Sequence, residues 1–413
     1  MQSMDSITDI PFWLDKNFLT QLLLVHHNSD QIDVATFEVT PAVSNGNNYS
    51  SIVLRVFIKY EENGKLTQKS LIIKTELPNG KTKDVIEEIG IFNKERFLYR
   101  EVIPIMKDII GFNLVPEYYP SSEAIVLEDL KEKGYVLCDR LNRLDFDHCN
   151  IFMKIIGKFH AASFYIQESQ PELFKNENIT TKIDFTSNPH PEVKDYFYNS
   201  FKCFQSALEE WHGFEQTAIF IENNLDKLWN KMVEVHSKKK HIALLNHGDA
   251  WSANMLFKHD ENGKVVDVKL IDLQIYKIVS PALDLITFLL TSTQEEVRKH
   301  RLSELYDSYL HSFNSLLKNV GCDFQFTSET LHDELEYLSC VYFCFLPWHV
   351  SLSQCDIELN IDDNIATFKR LNDEGKKLTS KIFNGVHFKA VATYTIKMLE
   401  NEAFFQNFSS SHI

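Results

Sequence analysis

The chain is short of positive charge, has no long apolar run and carries its cysteines without a pattern, and each lack argues against a class of protein. Lys and Arg number 42 against 58 Asp and Glu, for a formal charge of −16. That balance argues against a nucleic-acid backbone or an anionic membrane face as a bulk partner, so any phosphate site must be basic only locally. The longest apolar runs, such as Leu285 to Leu290, are too short to span a bilayer. Met1 to Asp5 show neither the basic start nor the apolar stretch of a secretory signal, and a soluble, cytoplasmic chain is the expectation. Cys138, Cys149, Cys203, Cys322, Cys340, Cys344 and Cys355 lack the spacing of a metal knuckle, which favours buried free thiols. Cys340 and Cys344 lie one helical turn apart, a spacing better explained by core packing than by a metal pair. What the chain does have is apolar content, 44% over 413 residues, enough for one large unit or two lobes.

The most informative segment is His247-Gly248-Asp249-Ala250-Trp251-Ser252-Ala253-Asn254. Behind it come the apolar runs Met255 to Lys258 and Val265 to Ile271, separated by Asp260-Glu261-Asn262-Gly263, whose Asn-Gly pair signals an antiparallel hairpin. Gly263 lies midway between Asn254 and Asp272. A hairpin folding there brings Asn254 and Asp272 face to face, where two oxygen ligands can share a hard cation such as Mg²⁺, with Asp249 just outside. An Asp, an Asn five positions on and a second Asp closing a hairpin is the spacing with which phosphotransferases orient a hydroxyl and hold metal around a phosphate chain. The plainer alternative is that Asp249 caps a turn and Asp272 ends a strand; it leaves the spacing and the hairpin symmetry unexplained.

Toward the N-terminus, Trp13, Leu14, Phe18, Leu19, Leu22 and Leu23 repeat at helical spacing and predict an amphipathic helix. Strands are expected over 34–39, 51–60 and 66–75, the last two joined at Asn63-Gly64. Folding about that turn sets Lys74 opposite Val53. Lys74 is a cation in an otherwise apolar strand, and its burial calls for an anion. The nearby loop, with Asn45, Gly46, Asn47 and Asn48, is small enough for backbone N–H groups to approach phosphate, although it holds a single glycine. A helix is expected from about Asp84 to Ile103, ended by Pro104, in which Phe92, Glu95, Tyr99 and Val102 share a stripe. Glu95 then needs a partner, and Lys74 answers both anomalies. A strand pair around Ser121-Ser122 leads into Val126-Leu127-Glu128-Asp129-Leu130.

Beyond that point the pattern is helical, interrupted by Ile242 to Leu245 and the hairpin. Cys149, Phe152, Ile156, Phe159, Ser163 and Ile166 mark a long helix capped by Asp145. Ser280-Pro281 reads as a helix start with Ser as cap. Asp284, among apolar residues, is expected to take hydrogen bonds near the catalytic loop in a structural role, and His160 to be a hydrogen-bonded core histidine.

Together these residues resemble the ecdysteroid kinase-like family, also called CHK kinase-like, within the aminoglycoside and choline kinase group. The resemblance runs from Trp13-Leu14 through the segments around Lys74 and Glu95, Val126 to Leu130, Lys158 to Ser163, His247 to Asn254, Ile271 to Gln274 and Ser280 to Leu285. It implies an α+β, bilobal protein-kinase-like fold, with a small antiparallel-sheet N-lobe over residues 1–128 and a mostly helical C-lobe over 129–413. It also implies ATP and Mg²⁺ as cofactors, Asp249 as catalytic base, Asn254 and Asp272 as metal ligands, Lys74 as phosphate-binding lysine and Glu95 as its partner. Glu128, Asp129 and Leu130 become a hinge whose backbone meets adenine. Leu273 stands where Phe is commoner, a conservative exchange.

The expected reaction is phosphoryl transfer to a hydroxyl of a small molecule, an ecdysteroid or a hydroxylated xenobiotic, with an ordinary Asp249 pKa sufficing for a loose transition state. Tyr342, Phe343, Phe345 and Trp348 are candidates either for an apolar acceptor pocket or for core. A catalytically silent nucleotide-binding scaffold is the competing reading, against which stand the intact Lys74, Asp249, Asn254 and Asp272. A protein kinase fits less well, because Asp-Phe-Gly and Ala-Pro-Glu landmarks are missing.

Overall fold

The computed structural model describes residues 10–42, 51–76, 90–175, 185, 191–357 and 373–410. The phosphate-loop candidates Asn45, Gly46, Asn47 and Asn48 lie outside the described residues. Helix α1 (Lys16–His27) is capped by Asp15, whose carboxylate accepts the Phe18 N–H at 2.8 Å, and it buries Leu19, Leu22 and Leu23. Those side chains lie on a five-stranded antiparallel sheet in the order β1-β2-β3-β5-β4. Its strands are β1 (Ile32–Pro41), β2 (Ile52–Glu62), β3 (Lys65–Thr75), β4 (Tyr118–Tyr119) and β5 (Ile125–Glu128).

Asn63 and Gly64 both take positive φ, 52° and 77°, the backbone that a two-residue hairpin turn demands. That turn fixes the register. Val53 pairs with Lys74, and the two-residue period of β3 sends Leu71 and Ile73 toward α1 and Lys74 to the opposite face. Against that face runs α2 (Ile91–Phe97), followed by a π turn (Leu98–Val102) and α3 (Ile103–Ile110). Pro104 therefore does not end the helix. The π turn widens the backbone ahead of it, and Pro104 falls in the first turn of α3, where a missing N–H costs no hydrogen bond.

After β6 (Tyr135–Leu137) the chain is mainly helical. Helix α4 (Phe146–Ser169), capped by Asp145 onto the His148 N–H, is buried along most of its length. Then come α5 (Pro191–Glu210), α6 (Glu215–Ser237), β7 (Leu244–Asn246), β8 (Met255–His259), β9 (Val265–Leu270), β10 (Lys277–Val279) and α7 (Ala282–Ser292). Strand β6 joins the hairpin in a β6-β8-β9 sheet, and β10 pairs with β7, so this half holds more sheet than periodicity alone suggests. Helix α7 starts one residue later than Ser280-Pro281 predicts; the Ser280 hydroxyl still accepts the Ala282 N–H at 3.3 Å. The remaining helices include α8 (Glu295–His300), α9 (Leu302–Asn319), α10 (Ser328–Tyr337) and α11 (Ser339–Phe345), which runs into a second π turn (Leu346–Val350).

The architecture is the expected α+β arrangement, an antiparallel-sheet N-terminal part and a mostly helical C-terminal part. Phe152 of α4 stacks on Phe288 of α7 at 3.9 Å between ring centroids, in the larger hydrophobic core. Phe343 and Phe345 are buried in a second aromatic core with Phe201, Phe204 and Phe388, so these two belong to core, while Tyr342 and Trp348 are half-buried at its edge. Cys149, Cys340, Cys344 and Cys355 are buried free thiols and the other three are half-buried. Among the described residues no helix is long and apolar enough to cross a membrane.

Candidate active site

The loop His247–Asn254 leaves β7 and is held first by α7. Asp284, fully buried, accepts the backbone N–H of His247 at 2.6 Å and of Gly248 at 2.9 Å, one on each carboxylate oxygen. His160 of α4 donates from Nε2 at 3.2 Å and is itself tied through Nδ1 to the Tyr309 hydroxyl at 3.0 Å. Burial pushes the Asp284 carboxyl up, but the His160 hydrogen bond, the neighbouring histidines and the loop N–H groups outweigh it and hold the pKa below the usual range. The expectation of a structural Asp284 beside the loop and a core His160 agrees with this geometry.

Gly248 has φ 85°, and a Cβ there would stand 2.1 Å from the Ile275 carbonyl oxygen, so only glycine fits. Next to it, His247 donates from Nε2 to the Ile271 carbonyl at 2.9 Å, which leaves Nδ1 to accept the Asp249 N–H at 3.3 Å. One imidazole thereby joins the start of the loop to the end of the hairpin.

The hairpin register differs by one residue from the symmetric estimate. The turn is centred on Asn262, with His259 opposite Val265; a bulge at Lys258/His259 then makes up part of the offset and pairs Met255 with Leu270, and the Ile271 N–H donates to the Asn254 carbonyl at 3.0 Å. Asn254 thus faces Ile271, and Asp272 stands one position beyond in left-handed backbone, φ 62°. From there its carboxylate reaches Lys74 of the N-terminal sheet. There the Lys74 ammonium donates to Glu95 Oε2 at 2.7 Å, to Gln274 Oε1 at 3.1 Å, and to Asp272 Oδ1 in a short contact. Burial pulls the Lys74 ammonium down, but the Asp272 and Glu95 carboxylates more than reverse this and hold it above its ordinary pKa. Burial pushes the Glu95 carboxyl up, against the pull of Lys74.

Asp249 is half-buried. Asn254 Nδ2 donates to its Oδ2 at 2.8 Å and to its backbone carbonyl at 3.0 Å, and the Trp251 side chain adds a further bond. Burial, and then the negative charge of Asp272, push its pKa up to about 6, above the ordinary value that a loose transition state requires. Asn254 and Asp272 offer an amide and a carboxylate oxygen, hard donors that suit Mg²⁺, and Asn254 Oδ1 accepts no hydrogen bond among the described residues. No cluster of three or more His, Cys, Asp or Glu among the described residues is built to hold a metal alone.

In the segment expected to be a hinge, Asp129 is buried and its side chain is committed to the fold: it accepts from Arg55 Nε at 2.6 Å, Ser70 Oγ at 2.7 Å and the Lys131 N–H at 3.2 Å. The Glu128 carboxylate accepts the Glu117 N–H at 3.1 Å, and Leu130 opens a short 3₁₀ turn. Sequence reasoning passed over Gln274 and His349. Gln274 had a signal, a polar residue two positions after Asp272 on the same side of the chain. His349, with Nδ1 3.8 Å from Asp249 Oδ1, had none, since one histidine in the run from Leu338 to Val350 reads as core.

A sheet lysine, a helix glutamate and a hairpin aspartate meeting beside a loop aspartate is the arrangement of kinase-like folds. The model of the Ecdysteroid kinase-like family matches residues 45–322, and the chain belongs to that family. No curated protein matches it. Among solved structures it is similar to an ethanolamine kinase from Plasmodium vivax, with 15% identity, 84% of this chain and 80% of the other covered, and a TM-score of 0.39. It is similar also to the GDP complex of an aminoglycoside 2'-phosphotransferase, with 13% identity, coverage of 90% and 99%, and a TM-score of 0.39. A third is a choline/ethanolamine kinase family protein from Mesorhizobium loti, with 9% identity, coverage of 86% and 92%, and a TM-score of 0.33.

Proposed function

We propose that this protein is an ATP- and Mg²⁺-dependent small-molecule kinase that transfers the γ-phosphoryl group to an acceptor hydroxyl, that of an ecdysteroid or a hydroxylated xenobiotic. The carrying observation is the Lys74 ammonium, bonded at once to Glu95 from α2 and to Asp272 from the hairpin, whose charge in turn reaches Asp249. In this reading residues 1–128 bind the nucleotide and 129–413 hold the catalytic loop and the acceptor.

Lys74, aimed by Glu95, meets the phosphates, and the backbone from Glu128 to Leu130 meets the base. Asn254 and Asp272 would hold Mg²⁺, whose chemistry is to neutralise charge on the phosphates; most of its remaining ligands would be phosphate oxygens and water. Asp249 accepts the hydrogen bond of the acceptor hydroxyl and orients it in line. Its raised pKa suits a group that takes up the proton as transfer completes.

The test is incubation of the purified protein with Mg²⁺-ATP and a panel of hydroxylated steroids, phenols, glycosides and amino alcohols, read by mass spectrometry for an added phosphoryl group. Product from glycosides or phenols with none from steroids removes the ecdysteroid part. Tight ATP binding with no product from any acceptor sinks the enzyme and leaves a nucleotide-binding scaffold.

A further inference from the structure

We propose that His349 is the second group that grips the acceptor hydroxyl, donating to its oxygen while that hydroxyl donates to Asp249; the inference rests on the kinase reading above. His349 lies on the π turn Leu346–Val350, where Pro347 lacks an N–H and the wider turn carries the ring over the loop. Its ring packs on Phe345 at 4.4 Å between centroids, and its Nδ1 stands 3.8 Å from Asp249 Oδ1. That gap is too wide for a hydrogen bond. It is also the gap that one oxygen fills, since an atom about 2.8 Å from each end lies at ordinary hydrogen-bond distance from both.

An ion pair between the two side chains does not account for the placement, because the ring is neutral. Burial, then the charges of Lys277 on β10 and of His236 on α6, push its pKa down to about 3. A neutral imidazole beside a carboxylate presents an Nδ1–H donor that cannot take the proton Asp249 is placed to accept. In the transfer, the acceptor oxygen forms its bond to the γ-phosphorus with one lone pair and its proton passes to Asp249. The bond from phosphorus to the bridging oxygen breaks, and that electron pair leaves on the nucleoside diphosphate. His349 holds the other lone pair throughout and neither gains nor loses a proton.

The test uses the full chain and its His349→Ala and His349→Asn variants, with 20-hydroxyecdysone and a phenolic glycoside as acceptors and initial rates taken against acceptor and against Mg²⁺-ATP. The Asn side chain keeps an N–H close to the position of Nδ1. For His349→Ala, kcat/KM for the acceptor should fall on the order of tenfold to a hundredfold while KM for ATP stays within about twofold; Asn should restore most of the loss. Equal losses in the Ala and Asn variants, or a matching change in KM for ATP, overturn the assignment. Full activity of His349→Ala overturns it alone, whereas a wild-type protein with no turnover on any acceptor takes down the kinase reading and this proposal together.

Discussion

Asp249→Asn should abolish turnover and make the protein more stable, and the size of the gain should depend on pH in a way that only a raised carboxyl pKa produces. Asp249 has a folded pKa of about 6 against an ordinary value of 3.8. A carboxyl raised on folding favours the folded state fully only below its unfolded pKa, and that advantage is lost as pH rises through about 6. At pH 8 the charged group therefore costs the fold about 3 kcal/mol, from roughly two units at ~1.4 kcal/mol each. At pH 5 the folded group is mostly protonated and the cost is about half as large. Asn removes the charge at both pH values, and whatever hydrogen bonds it gains or loses with Asn254 and Trp251 are the same at both. Urea unfolding of the two proteins, followed by circular dichroism at pH 5 and pH 8, should show a stabilisation about 1–2 kcal/mol larger at pH 8. A difference that is flat with pH, or larger at pH 5, refutes the raised pKa; turnover retained by the variant removes Asp249 from catalysis.

Lys74→Met leaves Glu95 buried without its cation, so it should destabilise the fold by about 3–5 kcal/mol and weaken nucleotide binding. Adding Glu95→Gln should restore much of the stability but none of the binding, checked by thermal unfolding and by calorimetric titration with ATP; recovery of both would separate Lys74 from the phosphates. Asp284→Ala strands two loop N–H groups and His160, and should cost about 3–5 kcal/mol with loss of activity. Its folded pKa is lowered, so the stability it supplies is present above the ordinary carboxylate range and lost as pH falls; the variant's deficit in urea unfolding should shrink on acidification, and a deficit unchanged with pH would show that packing alone was lost. Gly248→Ala puts a Cβ 2.1 Å from the Ile275 carbonyl at φ 85°, and should lose catalysis while circular dichroism of the helices is kept; wild-type kinetics would show that the loop has room to shift.

Residues that break a local pattern were the legible ones. Lys74 in an apolar strand and Glu95 on an apolar stripe each need a counter-charge, so the sequence itself pairs them, and the Asn63-Gly64 turn fixes which face of β3 carries Lys74. Asp284 was legible for the same reason, as a carboxylate whose helix offered it no donor. Features that depend on an irregular backbone were not. A turn centred on Asn262 together with the bulge at Lys258/His259 leaves the hairpin one residue off its symmetric register, the π turn at Leu98–Val102 carries the helix past Pro104, and the π turn at Leu346–Val350 swings His349 to Asp249. None of these leaves a periodic trace, because each is one residue out of step with the helix or strand period that sequence reading relies on.

The two aspartates that frame the catalytic loop show how environment, more than residue type, divides labour at this site. Asp284 and Asp249 both lose water, and burial pushes both toward the neutral acid. Asp284 meets two backbone N–H groups and an imidazole, which fix it as an anion and make it a clamp that cannot take a proton without releasing the loop. Asp249 receives only amide and indole donors and faces the charge of Asp272, so its proton affinity rises while its loop stays anchored from the other side. If Asp249 is the base proposed above, exchanging the roles fails on both counts, since a protonated Asp284 would lose acceptor capacity toward two N–H groups, and an Asp249 held by three strong donors would have little affinity left for the acceptor's proton. The site therefore needs the clamp to be the stronger acid of the two, and the placement of donors around each carboxylate is what secures that order.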